Sequence, residues 1–549
     1  MDRSPPDSRR RLYRILFHGA WIAILLAAAC LRFSLPLTPL ADNDTWGYLN
    51  PGVQSLLGRG FQHTNNRNFL YPGLIFGLLA SFRDFRAITV LQHTLGLGTG
   101  VLLLAAWRQV RRCFSTPRLP QWASDLAGLF TMGVYLFATE PIHFEFYIRP
   151  DVICPFFATL ALYSIVRFMA AKKLEPGSGK PLYFGALTIL LALFIPSLKP
   201  SYWLTSVFLT IPIWLALFDS REPLSRRALV VILPASVAVL LIWLPERHFA
   251  AADNSSETFL PESLFSIHAL IIRDQLADDV AHPDASNPYS QEKLLSTLES
   301  LDAGIAASKA ESPHHFESLG YDADYLLYHQ PFFGNMAKSE GYNWAVVLPF
   351  YKYYYRRTWF KRPLPMLRKV ATQLGLFYSL ECPAYCDKHF DLRRSYSRSL
   401  LALNDAALQR RLNRLPSAVD WLGQQALLRD ASPMIAMNKN LRRVINALGN
   451  AYVPALLCFL ATVPLVIFNK ARRAKFGTAC AIIAIGFAFN LGNNLGIAVL
   501  HTLEVSRYTY VQFATTIWTE MLTFVFLIEV ALDAIRFGQP RMNAKGHWR

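Results

Sequence analysis

Residues 87–107 read AITVLQHTLGLGTGVLLLAAW, and Arg108, Arg111, Arg112 and Arg118 follow before any acid. The 21 residues carry no charged side chain. Wound as a helix they reach about 31 Å, the thickness of a bilayer's hydrocarbon core. A span followed at once by a purely basic loop marks a cytosolic helix end, because short cytosolic loops concentrate Lys and Arg.

Nine further blocks repeat the pattern, at about 13–34, 123–142, 150–170, 182–197, 200–218, 228–245, 444–468, 477–500 and 508–533. Basic loops separate alternate pairs: Lys172, Lys173 and Lys180; Arg221, Arg226 and Arg227; Lys470, Arg472, Arg473 and Lys475. Arg9, Arg10, Arg11 and Arg14 precede the first block, and Arg536, Arg541, Lys545 and Arg549 follow the last. Both ends are therefore expected in the cytosol. The first block resembles a signal peptide, but its length and the Ala three positions before Cys30 favour a retained first helix.

Composition agrees. Of 549 residues, 53% are hydrophobic and 17% charged, where a soluble chain carries roughly a quarter charged. Disorder, a fibrous protein and an ordinary soluble enzyme are excluded. The net charge of +17 sits in the short loops. No long basic stripe interleaved with base-stacking aromatics is visible, so nucleic acid is not an expected partner. The expectation is an all-α integral membrane protein with about ten transmembrane helices. Residues 1–245 form an N-terminal module of about seven spans with a first outer loop at 35–86. Residues 246–443 form a large extracytoplasmic region with interfacial helices. Residues 444–549 carry the last spans and the tail.

Two segments in those loops have their own expected structure. Tyr71 to Phe82 is apolar but too short to span, and reads as an interfacial or re-entrant helix. Tyr351, Lys352, Tyr353, Tyr354, Tyr355, Arg356, Arg357, Trp359 and Lys361 suit a helix lying on the membrane surface. The cysteines show no metal-binding spacing. Cys382 and Cys386 lie close enough in sequence to form a small disulfide in an oxidising compartment, and otherwise are a free pair.

The outer loops collect ionisable residues: Asp42, Asp44, His63 and Arg67; then Glu140, His143, Glu145, Arg149 and Asp151; then Lys199; then Glu504 and Arg507. Groups at membrane depth are costly and usually pair or serve a site. In an extended segment Asp42 and Asp44 project to one side, so both can reach one divalent cation or act as a general base. Arg67, Arg149, Lys199 and Arg507 can hold an anionic phosphate. Taken singly, Arg149-Pro150-Asp151 reads equally as a helix start, and Lys199 as a snorkelling side chain.

In their order these segments resemble the polytopic GT-C glycosyltransferases. The nearest branch holds protein O-mannosyltransferases and the lipid A aminoarabinose transferase. The resemblance lies in Asp44-Thr45-Trp46-Gly47-Tyr48, where Thr45 replaces that branch's Glu and Asp42 lies upstream. It continues through Arg67 to Gly73 with Tyr71-Pro72, through Gln92, Leu198-Lys199-Pro200 and Arg507-Tyr508. It covers about the first 245 residues and, more weakly, the last three spans.

The resemblance implies transfer of a sugar from a polyprenyl-phosphate carrier to a glycan, lipid or protein acceptor on the non-cytosolic face. Asp44 falls in the role of base or metal-linked acid, with Asp42 as helper or metal ligand. A divalent cation is the one cofactor implied, and membrane lipids are expected neighbours. The expected setting is multi-pass in a bacterial inner membrane, with the site facing the periplasm. A lipid-linked glycan ligase or polymerase, and a transporter or flippase, are the alternative readings. Charges gathered at one boundary rather than mid-span speak against transport.

Overall fold

The computed structural model describes residues 7–61, 68–175, 178–217, 223–252, 260–339, 344–385, 390–431, 434–435 and 438–537. Nearly all of it is helix. The N-terminal half contains α1 (Asp7–Phe33), α2 (Thr45–Leu56), α3 (Leu70–Phe82), α4 (Arg86–Arg112) and α5 (Gln121–Phe137). It continues with α6 (Thr139–Phe144), α7 (Cys154–Leu174), α8 (Lys180–Leu198), α9 (Trp203–Leu217), α10 (Leu224–Ala238) and α11 (Leu244–Ala252). Among the described residues, nine helices are long and apolar enough to cross a membrane, including the α10–α11 run and three near the C-terminus.

The expected span at 123–142 is not among these nine. Its helix stops at Phe137, Ala138 is extended (φ −63°, ψ 134°), and α6 starts afresh. Continuing the helix would drive the Pro141 ring into the carbonyl of Phe137. The resulting 17-residue α5 is about 26 Å long, at the lower limit for a crossing helix. The short apolar stretch does form its own helix, α3, which packs on α2.

Residues 246–443 pack in two parts. A first part builds α12 (Leu260–Ile267), α13 (Ala269–Ala281), α14 (Gln291–Glu311), α15 (Ala323–Tyr328), α16 (Phe332–Ser339) and α17 (Trp344–Lys361) around a core of their own. The expected surface helix at 351–361 belongs to that core. Phe350, Tyr351 and Tyr354 are buried in it, and Tyr351 packs against Phe265 at 4.5 Å between ring centroids. Arg357 pairs with Asp279 at 2.8 Å and Asp284 at 3.0 Å. Arg357 of the basic second part thus pairs with acids of the first part within the domain, while Lys352, Arg356 and Phe360 stay exposed.

In the second part α18 (Pro363–Phe377), α20 (Ala406–Leu412) and α21 (Pro416–Ala431) join the main helical core, and α19 (Leu392–Ala402) packs in a small cluster with Leu40, Ile142 and Phe146. Two-residue strands Phe390–Asp391 and Met434–Ile435 pair antiparallel. Cys382 is buried, and Cys386 lies outside the described residues, so the expected disulfide does too.

The chain closes with α22 (Lys439–Ile467), α23 (Lys470–Leu500), the short α24 (Ser506–Tyr510) and α25 (Phe513–Phe537). Close approach of α23 to the start of α9 depends on two glycines one turn apart. A Cβ on Gly492 would lie 2.5 Å from the Thr205 amide nitrogen, and one on Gly496 2.4 Å from the Ser201 carbonyl oxygen. Small residues at i and i+4 are how membrane helices bring backbones together, and polar side chains then bind across the seam. Ser201 Oγ donates to Asn493 at 2.6 Å, and Thr205 Oγ1 to the Phe489 carbonyl at 2.9 Å. This seam holds the Lys199 tip beside the segment leading into α24.

Candidate functional site

Four segments far apart in sequence meet at one end of the helices. The first is fixed by a parallel bridge between Leu40 and Tyr147. Leu40 N–H donates to the Phe146 carbonyl at 2.8 Å, and Ile148 N–H to the Leu40 carbonyl at 3.0 Å. Side chains alternate along extended backbone, so two residues on from this register Asp42 faces Arg149, and the two form an ion pair.

Asp42 and Asp44 do not lie on an extended strand as the sequence pattern implies. Residues 43–44 form the turn that starts α2. Asp42 Oδ1 accepts from the amides of Asp44 (2.9 Å) and Thr45 (3.1 Å), while Asp42 N–H donates to Thr45 Oγ1 at 2.8 Å. Such a reciprocal arrangement satisfies amides that a helix start leaves without partners. One Asp42 oxygen is thus spent on the turn and the other on Arg149.

Asp44 lies one step further into the site. Its Oδ2 is 2.5 Å from Arg507 Nη1 and 3.8 Å from Arg149 Nη2, so one carboxylate oxygen bridges two guanidiniums. The third cation, Lys199, pairs with Asp151 at the start of the α7 segment; both are mostly buried. Lys199 Nζ and Arg507 Cζ lie 4.6 and 4.8 Å from the centroid of the same ring, Tyr508, whose electron-rich face attracts both. Arg507 Nη2 also donates to the Tyr508 hydroxyl at 2.9 Å.

Burial, followed by the nearby Arg507, pulls the Arg149 guanidinium down to about 10, which still leaves it charged at neutral pH. The Nε atoms of Arg149 and Arg507 are buried and have no hydrogen-bond partner among the described residues. Buried donors without acceptors are uncommon and costly. Both belong to the two guanidiniums that flank the Asp44 Oδ2.

Of the residues expected at the site, Asp42, Asp44, Arg149, Lys199 and Arg507 come together, with Asp151 and Tyr508. Arg67 and His63 lie outside the described residues. Glu140, Glu145 and Glu504 are engaged elsewhere. Glu140 accepts from the Tyr510 hydroxyl at 2.8 Å, and Glu504 from Ser318 Oγ at 2.7 Å. His143 is half-buried, and loss of solvent, followed by the nearby Arg398, pulls its pKa down to about 3.

Glu145 is half of a buried pair that the sequence reading missed. Arg32 in α1, fully buried, binds it through Nε at 2.8 Å and Nη2 at 3.0 Å, and His93 Nδ1 lies 2.8 Å away. The signal was present: Arg32 is a lone charge at the end of an apolar block, and such a residue seeks a partner. A Cβ on Gly96 would lie 1.9 Å from Glu145 Oε1, so that glycine makes the room.

The carboxylates of Asp42 and Asp44 as folded do not fit a divalent cation. Their oxygens already face two guanidiniums and a helix-start turn, and a dication there would sit among positive charges. No protein-family model, curated protein or solved structure matches the chain.

Proposed function

We propose that the chain is a polytopic membrane glycosyltransferase that moves a sugar from a polyprenyl-phosphate carrier to an acceptor. The observation that carries this reading is the meeting of Arg149, Lys199 and Arg507 around Asp44, at the ends of helices apolar enough to hold a lipid tail. Counting α5 as a tenth crossing puts both ends of the chain on the cytosolic side. The site then faces outward, in a bacterial inner membrane the periplasm.

The chemistry follows from the charges. The donor's phosphate oxygens compete with Asp44 for Arg507 and Arg149 and supply acceptors for their unpartnered Nε–H groups. That competition frees Asp44. Its carboxylate takes the proton of the acceptor hydroxyl as the oxygen bonds to the anomeric carbon. The bond from that carbon to the phosphate oxygen breaks, and the electron pair leaves with the lipid phosphate. Arg149, Lys199 and Arg507 stabilise the charge growing there, a fixed electrostatic contribution that is often the largest in catalysis. A single displacement inverts the anomeric centre. Asp42 positions Arg149 and takes no proton.

The test is the purified full-length chain with a panel of polyprenyl-phosphate sugars and hydroxyl acceptors. Transfer by the wild type, lost in Asp44→Asn with the fold intact, supports the reading. Equal transfer by Asp44→Asn overturns it.

A further inference from the structure

α17 and α18 meet at an elbow. The helix breaks at Arg362 (φ −131°, ψ 55°), and α18 restarts with Pro363. Around the break Phe360 is 86% exposed, Leu364 75% and Leu367 54%. The other side of α18 is used for packing: Met366, Val370 and Phe377 are buried. Leu364, Leu367 and the exposed Ala371 recur at i, i+3 and i+7, so they share the opposite face. Large apolar side chains left open together mark a surface that meets another apolar phase.

Charge around this patch is one-signed. Residues 341–380 contain seven Lys and Arg and no Asp or Glu. Three of the seven are taken. Arg357 pairs with Asp279 and Asp284, Arg362 Nε donates to Gln275 Oε1 at 3.2 Å, and Lys369 Nζ donates to two backbone carbonyls. The side chains of Lys352, Arg356, Lys361 and Arg368 are exposed, with no hydrogen-bond or ion-pair partner among the described residues. Lys352, Arg356 and Phe360 lie four residues apart, on one stripe of α17. Arg356 and Lys352 therefore sit about 6 and 12 Å back along the helix from Phe360.

The level of the patch is set by Lys369. Its Nζ donates to the carbonyls of Ala498 at 2.6 Å and His501 at 3.0 Å, at the end of α23. α23 is long and apolar enough to cross a membrane, and this end is opposite its basic Lys470 end. Leu364 and Leu367 thus stand at a bilayer boundary, turned away from the bundle. A helix at such a boundary sinks its apolar face about 5–10 Å into the head-group and acyl region and sets Lys and Arg beside lipid phosphates. The stripe from Phe360 back to Lys352 has these groups in that order.

We infer that the α17–α18 elbow docks on the bilayer surface, with anionic phospholipids as its partner. Phe360, Leu364 and Leu367 enter the acyl boundary. Lys352, Arg356, Lys361 and Arg368 meet the phosphates above it. The buried side of the same α17, with Tyr351 and Tyr354, belongs to the core of the α12–α17 domain, so the contact seats that domain on the membrane. It is made by the elbow and not by the aromatic face. It needs only that α23 crosses the bilayer, and is independent of sugar transfer.

The experiment uses the full-length chain, one copy per lipid nanodisc, carrying Cys30→Ser, Cys386→Ser and Cys458→Ser; the other cysteines are buried. A nitroxide is placed singly through Lys352→Cys, Leu364→Cys or Leu367→Cys. All three positions are exposed, so the label displaces no packing. Collisions with oxygen and with a water-soluble nickel chelate give its depth. In discs of phosphatidylcholine and phosphatidylglycerol, the labels at Leu364→Cys and Leu367→Cys should meet oxygen and be shielded from nickel, while Lys352→Cys stays open to nickel. Replacing phosphatidylglycerol by phosphatidylcholine at low salt should make the Leu364→Cys label shallower, and Arg356→Gln/Lys361→Gln/Arg368→Gln should abolish that difference. Nickel reaching Leu364→Cys and Leu367→Cys as freely as Lys352→Cys overturns the inference. So does shielding from both collision partners, which marks a covering protein segment or a second copy, and so does a depth that ignores phosphatidylglycerol.

Discussion

Replacing Asp44 by Asn removes one negative charge and keeps the side chain's shape. The structure separates what this does to stability from what it does to turnover. Asp44 and Arg507 are each 28% exposed at the side chain, and a pair that solvent still reaches contributes about 1 kcal/mol. The helix-start turn is made by Asp42, not Asp44, so it survives. Unfolding in detergent should therefore move little. Turnover should fall about 10²- to 10⁴-fold, the usual contribution of a general base, equivalent to about 2.7–5.4 kcal/mol of barrier. Donor binding should stay level or tighten, because Asp44 no longer competes with phosphate for Arg507. Initial rates over a series of donor concentrations, with thermal unfolding on the same samples, give all three quantities. Turnover within a few-fold of wild type would refute the base. A loss of donor affinity parallel to the loss of rate would refute the competition.

Asp42→Ala should behave oppositely in stability: it removes the helix-start acceptor and the partner of Arg149, costing about 1–3 kcal/mol, and an unchanged unfolding temperature would contradict its structural role. Arg32→Leu leaves Glu145 buried without its guanidinium and should cost about 3–5 kcal/mol; the double variant Arg32→Leu/Glu145→Leu should recover much of that, and additive losses in the cycle would show the two do not act as a pair. Burial raises the Glu262 carboxyl to about 7, so the folded state holds its proton while the unfolded chain releases it at the ordinary value near 4.5. Its contribution to stability is whole below that ordinary value and is lost as pH rises to about 7. Glu262→Gln should flatten the stability profile across this window, and an unaltered profile in urea titrations would sink the assignment.

Much of the site was legible because hydropathy and charge are local. The block at 87–107 announces α4, and the Ser197–Pro200 break announces the hairpin tip, since an apolar run or a proline acts on its own neighbours. The collection of Asp44, Arg149, Lys199 and Arg507 on one side followed from basic loops alternating with spans. Their expected partner Arg67 lies beyond what the structure describes. The pattern failed where contacts are long-range or a residue has two uses. Asp42 and Asp44 two residues apart suggested one metal, but the carboxyl of Asp42 is consumed by the turn beside it. Nothing local in 351–361 reveals that Tyr351 and Tyr354 sit in a core of their own or that Asp279 and Asp284 fold back onto Arg357.

By itself the sequence determined most of the long apolar helices and the residues that carry charge at their ends. Those properties depend on side chains within a turn or two of each other. Only the tertiary structure decided which acid meets which base. The Leu40–Tyr147 bridge set Asp42 against Arg149, the Gly492–Gly496 seam set the Lys199 tip, and Arg507 crossed 463 positions of chain to reach Asp44. Pairings of that kind depend on backbone register and close helix packing, which no local pattern encodes.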